Sequence, residues 1–239
     1  MIVIPMAGLS SRFFKEGYTV PKYMLDLNGI TVFEWSVSSF ERYFNSDFFL
    51  FIIFDHFDTK NFVEQQIKNM GIQRYKIVVL TEHTLGQADT VYQGLKDLEI
   101  DEEMYIFNID SRLDNFSKWD ECDNVDGYLE VFRGEGEHWS FVLPGHDYQV
   151  LKTTEKERIS DLCSNGLYYF KSFMLYKKYV EEEVKNYKNQ EIYIAPLYNQ
   201  YIRDEKIIQY NLVELRDIQF CGTPLEYKQT LKRIQQVGL

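Results

Sequence analysis

Apolar residues in the first half of the chain fall into short runs separated by stretches with helical spacing. The runs are Ile2-Val3-Ile4, Phe49-Leu50-Phe51-Ile52-Ile53-Phe54, Lys76-Ile77-Val78-Val79-Leu80 and Met104-Tyr105-Ile106-Phe107. They are continuous rather than alternating, which predicts strands covered on both faces. Between them, Thr31-Val32-Phe33-Glu34 reads as a capping box that opens a helix. Phe62, Ile67 and Met70 mark the next helix, and Ala88, Val91, Leu95 and Leu98 a third, at spacings of three and four. Strand alternating with helix implies βαβ crossovers and a parallel sheet.

The second half has another rhythm. Residues 127–132, 148–151 and 166–170 read as strands with little helix between them. A helix is predicted over 172–187 and another over 194–201. Thr223-Pro224-Leu225-Glu226 opens a last one, with proline at the first helical position and glutamate closing a second capping box. There is no Pro/Gly/Ser linker and no internal repeat. A single α/β domain with a mixed sheet is the economical reading.

Charge then narrows the function. The 239 residues carry 26 Lys and Arg against 37 Asp and Glu, a formal net charge of −11. A general nucleic-acid binder needs a basic surface to replace counterions, so no nucleic-acid partner is expected. A small phosphorylated ligand remains open, since a pocket needs few local cations. The longest wholly apolar run, Phe48 to Phe54, is far short of the ~20 residues a bilayer requires, and no membrane partner is expected. Met1-Ile2-Val3-Ile4-Pro5-Met6 has neither a charged start nor a cleavage pattern, so no signal peptide is expected. Three scattered cysteines, Cys122, Cys163 and Cys221, form no CxxC and point to a reducing cytoplasm.

The densest chemistry lies in Ile4-Pro5-Met6-Ala7-Gly8-Leu9-Ser10-Ser11-Arg12-Phe13, followed by Pro21-Lys22-Tyr23-Met24-Leu25. A strand ends, a loop of small residues follows, and an Arg and a Lys lie ten residues apart. Small residues let backbone N–H groups approach a polyphosphate, and a guanidinium makes forked hydrogen bonds to its oxygens. GxGxxG and GxxxxGK are both absent, so the Rossmann-fingerprint and Walker A readings fail. On spacing alone, a plain strand-loop-helix connection with two surface cations reads equally well.

Gly8, Ser10, Arg12, Pro21 and Lys22 together resemble the signature of the nucleotidyltransferases that make sugar nucleotides and related activated metabolites. Ser10 departs from the glycine that many members have. Further short motifs follow in the family's order. Leu85-Gly86-Gln87-Ala88-Asp89-Thr90 resembles the turn beneath the nucleotide base, and Asn108-Ile109-Asp110 ends a strand at the magnesium-binding Asp. Thr154-Glu155-Lys156 resembles the pair facing the acceptor, and Asn165-Gly166-Leu167-Tyr168 and Gly222-Thr223-Pro224 resemble the later G-x-Y and G-T segments.

The resemblance implies a Rossmann-like three-layer α/β/α domain with a predominantly parallel mixed sheet. Residues 1–115 would form the nucleotide-binding half and 116–239 the acceptor-binding half. It puts Ala7, Gly8, Ser10, Ser11, Arg12, Gly86, Gln87, Ala88 and Asn108 at the nucleotide. Glu155, Lys156, Gly166, Tyr168 and Glu191 fall at the acceptor, and Arg12, Lys22 and Asp110 in catalysis. Mg²⁺ is the implied cofactor, on Asp110. The family's second Asp falls on Phe220 here, which leaves Asp217 or Glu191 as replacement ligands.

Each motif has a plainer reading. Residues 86–90 can be a simple helix N-terminus, and Asp110 can cap a turn, although strand ends are where open α/β sheets bind ligands. His56, His83, His138 and His146 lack metal-ligand spacing and read as solvated or capping. Glu181-Glu182-Glu183 reads as an exposed helix face. Trp139, Tyr168 and Tyr193 suit an acceptor pocket or core packing equally. No arrangement suggests a covalent nucleophile.

The expected reaction is attack of a phosphorylated acceptor on the α-phosphorus of a nucleoside triphosphate, with pyrophosphate leaving. An acceptor phosphate is already anionic, so alignment and charge neutralisation suffice. Two alternatives stay open. A GT-A glycosyltransferase shares this architecture, but Asp110-Ser111-Arg112 lacks the second carboxylate of Asp-x-Asp and Pro21-Lys22 goes unexplained. A non-catalytic nucleotide-sensing module is suggested by Phe220. The short chain resembles compact capsule and surface-polysaccharide members, implying CTP as donor. The implied acceptor is a sugar 1-phosphate or a small phosphorylated metabolite such as phosphoglutamine. The oligomeric state stays open.

Overall fold

A computed structural model describes residues 1–237 except 100 and 189. The apolar runs become β1 (Ile2–Pro5), β2 (Phe48–Phe54), β3 (Arg74–Leu80) and β4 (Met104–Phe107), parallel in the order β3-β2-β1-β4. Past the short β5 (Ser111–Leu113), β6 (Gly127–Arg133) joins the sheet through β9 (Leu162–Phe170), which is antiparallel to both β4 and β6. An antiparallel hairpin of β7 (Ser140–Pro144) and β8 (Val150–Glu155) hangs from β9. β10 (Ile208–Leu212) closes the edge beside β6, and β11 (Ile218–Phe220) pairs with β5 apart from the main sheet.

Alternate residues of the central strands serve opposite faces, as the pleat requires. Val3, Leu50, Ile52 and Ile106 join one core, under α4 (Gln87–Leu95), α5 (Phe173–Lys185) and α6 (Tyr198–Arg203). Ile2, Ile4, Phe51 and Phe107 join the other, against α2 (Val32–Val37) and α3 (Thr59–Met70). The expected three-layer α/β/α architecture with a mostly parallel mixed sheet is therefore present. A smaller third cluster holds Phe13 of α1 (Ser11–Lys15) against Trp35, Cys221 and Tyr227, the last on α7 (Pro224–Val237).

Three expectations need correction. The β3 run is an edge strand with much of its length exposed, not covered on both faces. The strand expected at 148–151 starts later, because Asp147 and Tyr148 adopt left-handed conformations at φ 50° and 61° and complete a turn first. The helix expected over 194–201 is a 3₁₀ turn at Ala195–Leu197 running into α6. For function the key feature is the change of direction after β3. The chain crosses back over β1 to build β4, so a crevice opens at the C-terminal ends of β1 and β4.

Candidate active site

A cleft of about 830 Å³ lies at that crevice. One wall is the loop after β1. Phe13 is 1% exposed and packs edge-on to Tyr18 at 5.3 Å, anchoring α1 beneath it. Ser10 sits at φ 51°, the left-handed conformation that suits the glycine usual there, and a serine pays roughly 1 kcal/mol for it. Its hydroxyl offsets this by accepting a 3.1 Å hydrogen bond from the Lys22 backbone N–H, tying the loop to the Pro21-Lys22 segment. Nothing lies within 4 Å of a Cβ built on Gly8, so the loop backbone faces open space. Arg12 lines the cleft and, among the described residues, has no carboxylate partner.

Asp110 stands in the turn between β4 and β5, and the Lys22 ammonium lies 2.5 Å from its Oδ2. Both side chains are about one-fifth exposed, toward the cleft. The β5–β11 pairing brings the C-terminal G-T segment alongside, where the Cys221 N–H donates to the Asp110 carbonyl at 2.7 Å. A Cβ on Gly222 would sit 2.9 Å from Asp110 Oδ2 and 3.5 Å from Glu226 Oε2, so the missing side chain leaves a gap flanked by two carboxylates. Glu226 also closes the expected capping box, accepting from the Thr223 N–H at 2.8 Å.

The turn at 84–90 is built around Asp89. Its Oδ2 accepts the Leu85 N–H at 2.7 Å, and it is 4% exposed. Gly86 has φ +143°, and a Cβ there would lie 2.5 Å from Ile192 N and 2.6 Å from Ile192 O. That close approach lets the Ile192 N–H donate to Leu85 O at 2.8 Å and the Ala88 N–H donate to Ile192 O at 3.0 Å. Gln87 reaches across to hydrogen-bond the Asn108 side chain.

At the far end, Glu155 ends β8 and Lys156 follows it at φ 55°. Burial raises the Glu155 carboxyl above the usual carboxylate range, against the Ser140 hydroxyl and Lys156, which favour its anion. Burial also opposes the Lys156 charge, but the Tyr193 hydroxyl and the Glu155 and Glu191 carboxylates outweigh it and hold the ammonium above its ordinary value. Lys156 donates to Tyr193 OH at 2.6 Å and lies 4.4 Å from that ring's centre. Trp139 walls this end, 4.9 Å from Phe220 and 5.2 Å from Phe132. Burial pushes the Tyr168 phenol up to about 12.

The structure thus brings all the expected site residues to one cleft except two. Ala88 is buried and its N–H is taken by Ile192, so it is not free for a nucleotide. Asp217 lies outside the cleft on the 3₁₀ turn before β11, where its carbonyl accepts from the Asp114 N–H. Phe220, at the family's second Asp position, packs against Trp139 instead of facing a cation. Among the lining residues that sequence reasoning did not assign to the site are Phe54, Thr84, Ser140 and Ser164, and it gave His83, His138 and Glu226 other roles. His83 stacks on Phe54 at 4.9 Å and directly precedes the 84–90 turn, the one signal that marked it. Glu226 was visible only as a capping residue.

A crevice at the strand-order reversal, lined by a small-residue loop, two cations and an aspartate just past β4, is the arrangement that the resemblance to nucleotidyltransferases implies. No protein-family model and no curated protein matches the chain. Among solved structures, the nucleoside-diphosphate-sugar pyrophosphorylase of Vibrio cholerae RC9 is 45% identical over 97% of this chain and 100% of that one, with a TM-score of 0.93. The chain belongs to the nucleoside-diphosphate-sugar pyrophosphorylase family of nucleotidyltransferases. The T. maritima inositol-1-phosphate CTP transferase shares the fold at 15% identity and TM-score 0.75, over 98% of this chain and 95% of that one. An apo UDP-glucose pyrophosphorylase does so at 14% identity and TM-score 0.76, over 100% and 98%. Among the described residues no helix is long and apolar enough to cross a membrane.

Proposed function

We propose that this nucleotidyltransferase moves a nucleotidyl group from CTP to a phosphorylated small acceptor, with Mg²⁺ as cofactor, in the cytoplasm. The observation that carries the reading is the convergence of unpaired Arg12, the Ser10-tied loop and the Lys22–Asp110 pair at one crevice. An acceptor phosphate oxygen bonds to the α-phosphorus as the bond from that phosphorus to the β-phosphate oxygen breaks and pyrophosphate leaves. The acceptor anion needs no base, so the protein aligns the groups and neutralises charge.

Arg12 and the N–H groups of residues 8–11 hold the β and γ phosphates, and Lys22 meets the α-phosphate. Gly86 and Gln87 support the nucleotide with Asn108, within residues 1–115. Lys156 steers the acceptor phosphate, while Glu155, Glu191, Gly166 and Tyr168 line its pocket within 116–239. The residues present suit a magnesium ion. The Lys22 ammonium on Asp110 marks a cation position, Gly222 leaves room beside it, and the ion needs few carboxylates when phosphate oxygens complete its shell. Asp110 would hold it, with Glu226 as the neighbouring carboxylate; bound there, it neutralises phosphate charge.

Resemblance to compact capsule cytidylyltransferases supports CTP and an acceptor such as a sugar 1-phosphate or phosphoglutamine. The product would be an activated precursor for surface polysaccharide. Pyrophosphate release measured with five NTPs against a panel of such acceptors tests this. CTP is expected to give the highest kcat/KM; a different base at the top refutes the donor, and no release with any pair refutes the reaction.

A further inference from the structure

Glu130 is a carboxylate that the reaction above leaves unused, buried at 4% exposure in the middle of β6. It lies where β6 and β9 fall out of register. Leu129 pairs with Tyr168 and Val131 with Ser164, so Glu130 faces a bulge made by residues 165–167 of β9. Gly166 takes φ +94° in that bulge, and a Cβ there would lie 2.5 Å from Asn108 Nδ2. Ser164, Asn165 and Gly166 all reach the cleft from it. Bulges next to active sites re-aim the side chains they carry.

Glu130 holds this bulge from behind. Asn165 Nδ2 donates to its Oε2 at 2.7 Å, and Asn211 Nδ2, from the edge strand β10, donates to its Oε1 at 3.3 Å. Asn165 is thereby turned so that its Oδ1 accepts the Leu167 N–H at 3.0 Å. Gly166 and Tyr168, both placed at the acceptor, lie within that bulge and at its C-terminal end, and both line the cleft. We propose that Glu130 is a positioning residue, whose ionised carboxylate fixes the β9 bulge and through it the acceptor-side wall of the cleft. The inference rests on the acceptor lying at that end.

The carboxylate's charge matters because both partners are donors. An ionised Glu130 accepts from each; a protonated one must place its own proton among donors and release one of them. Burial opposes ionisation while the two amides favour it, and the group titrates at about 7. Neither flanking strand, β9 or β10, presents a charge to it; the Tyr128 phenol on its own strand is the titratable group that feels it.

The test is the pH profile of kcat/KM for the acceptor in wild type, Glu130→Gln and Asn211→Ala, with the KM of each substrate measured at pH 8. Glu130→Gln is expected to raise acceptor KM roughly tenfold, as loss of one hydrogen bond to a charged group does, and to leave NTP KM within about twofold. It should also remove the fall in kcat/KM below pH 7 that is expected of wild type beyond the acceptor's own titration, and a wild type without that fall overturns the inference. Asn211→Ala, which deletes a donor to the anion, should move that fall to higher pH. A Glu130→Gln enzyme with wild-type profile and KM values overturns the inference, as does an unshifted profile in Asn211→Ala should Glu130→Gln not fold. Lys156→Ala is the control for the underlying reading. If it raises NTP KM rather than acceptor KM, the assignment of the acceptor end fails; if it raises acceptor KM while Glu130→Gln does not, Glu130 alone is wrong.

Discussion

Replacing Gly86 with alanine is expected to destabilise the protein by about 3–5 kcal/mol, because the new methyl has nowhere to go. Its position lies 2.5 Å from Ile192 N and 2.6 Å from Ile192 O, backbone atoms that cannot rotate aside. The residue also sits at φ +143°, which costs an L-amino acid roughly 1–3 kcal/mol. Relieving the clash moves Ile192 away and breaks its hydrogen bonds with Leu85 and Ala88, each worth about 1 kcal/mol. For a chain of this size such a loss corresponds to a fall in Tm of roughly 6–20 °C. Thermal unfolding of both proteins in one buffer reads the first effect. The NTP KM, expected to rise because Gln87 shifts with the turn, reads the second. Gly8→Ala is the matched control: with nothing within 4 Å, its Tm should stay within about 2 °C even though its methyl enters the cleft. A loss under about 1 kcal/mol in Gly86→Ala, with an unchanged NTP KM, would refute the steric argument.

Arg12→Ala should lower kcat/KM by ~10²–10³ with an unchanged melting curve, since it loses a preorganised donor and no packing; near-wild-type turnover removes the loop from triphosphate binding. Asp110→Asn should abolish most activity and flatten the Mg²⁺ titration, and an unaltered titration would return Asp110 to a structural turn. Lys22→Ala should chiefly depress kcat, whereas Lys156→Ala should raise acceptor KM more than NTP KM; the reverse pattern would invert the pocket's division. Glu130, whose carboxyl is raised from 4.5 to about 7 on folding, contributes stability that is full below pH 4.5 and lost as pH rises toward 7. That decline is on the order of 3 kcal/mol and should vanish from denaturant titrations of Glu130→Gln; its persistence would place the group elsewhere.

The sequence made the parallel half of the sheet legible because its strands are continuous apolar runs, and β2 and β4 in the structure match them almost residue for residue. β5 and β11 were invisible. Three residues each carry no period, and their pairing at Ile218 with Leu113 joins segments far apart in the chain. That pairing is what delivers Gly222 and Glu226 to Asp110, so the surroundings of the aspartate could not be read from its own neighbourhood. Arg12, Lys22 and Asp110 were found by motif; the contact between Lys22 and Asp110 was not. Likewise Gly86 and Gly166 were noticed as small residues in turns, but the reason for each is a distant partner, Ile192 in one case and Asn108 in the other.

The charge carried by the cleft bears on the proposed need for a cation. Its lining holds three basic side chains, Arg12, Lys22 and Lys156, against four carboxylates, Asp110, Glu155, Glu191 and Glu226. Two of the three cations are already engaged, Lys22 with Asp110 at 2.5 Å and Lys156 with Tyr193 at 2.6 Å. The protein around them has a net charge of −11. A triphosphate entering alone would meet one unpaired guanidinium and a surplus of negative charge. Entering with a divalent cation, it would bring the positive charge that Asp110 would lose were Lys22 to meet the α-phosphate as proposed above. The Lys22–Asp110 pair then keeps both groups in place before binding, each standing in for the partner the other will receive. Nucleotide and cation on this reading bind as one unit.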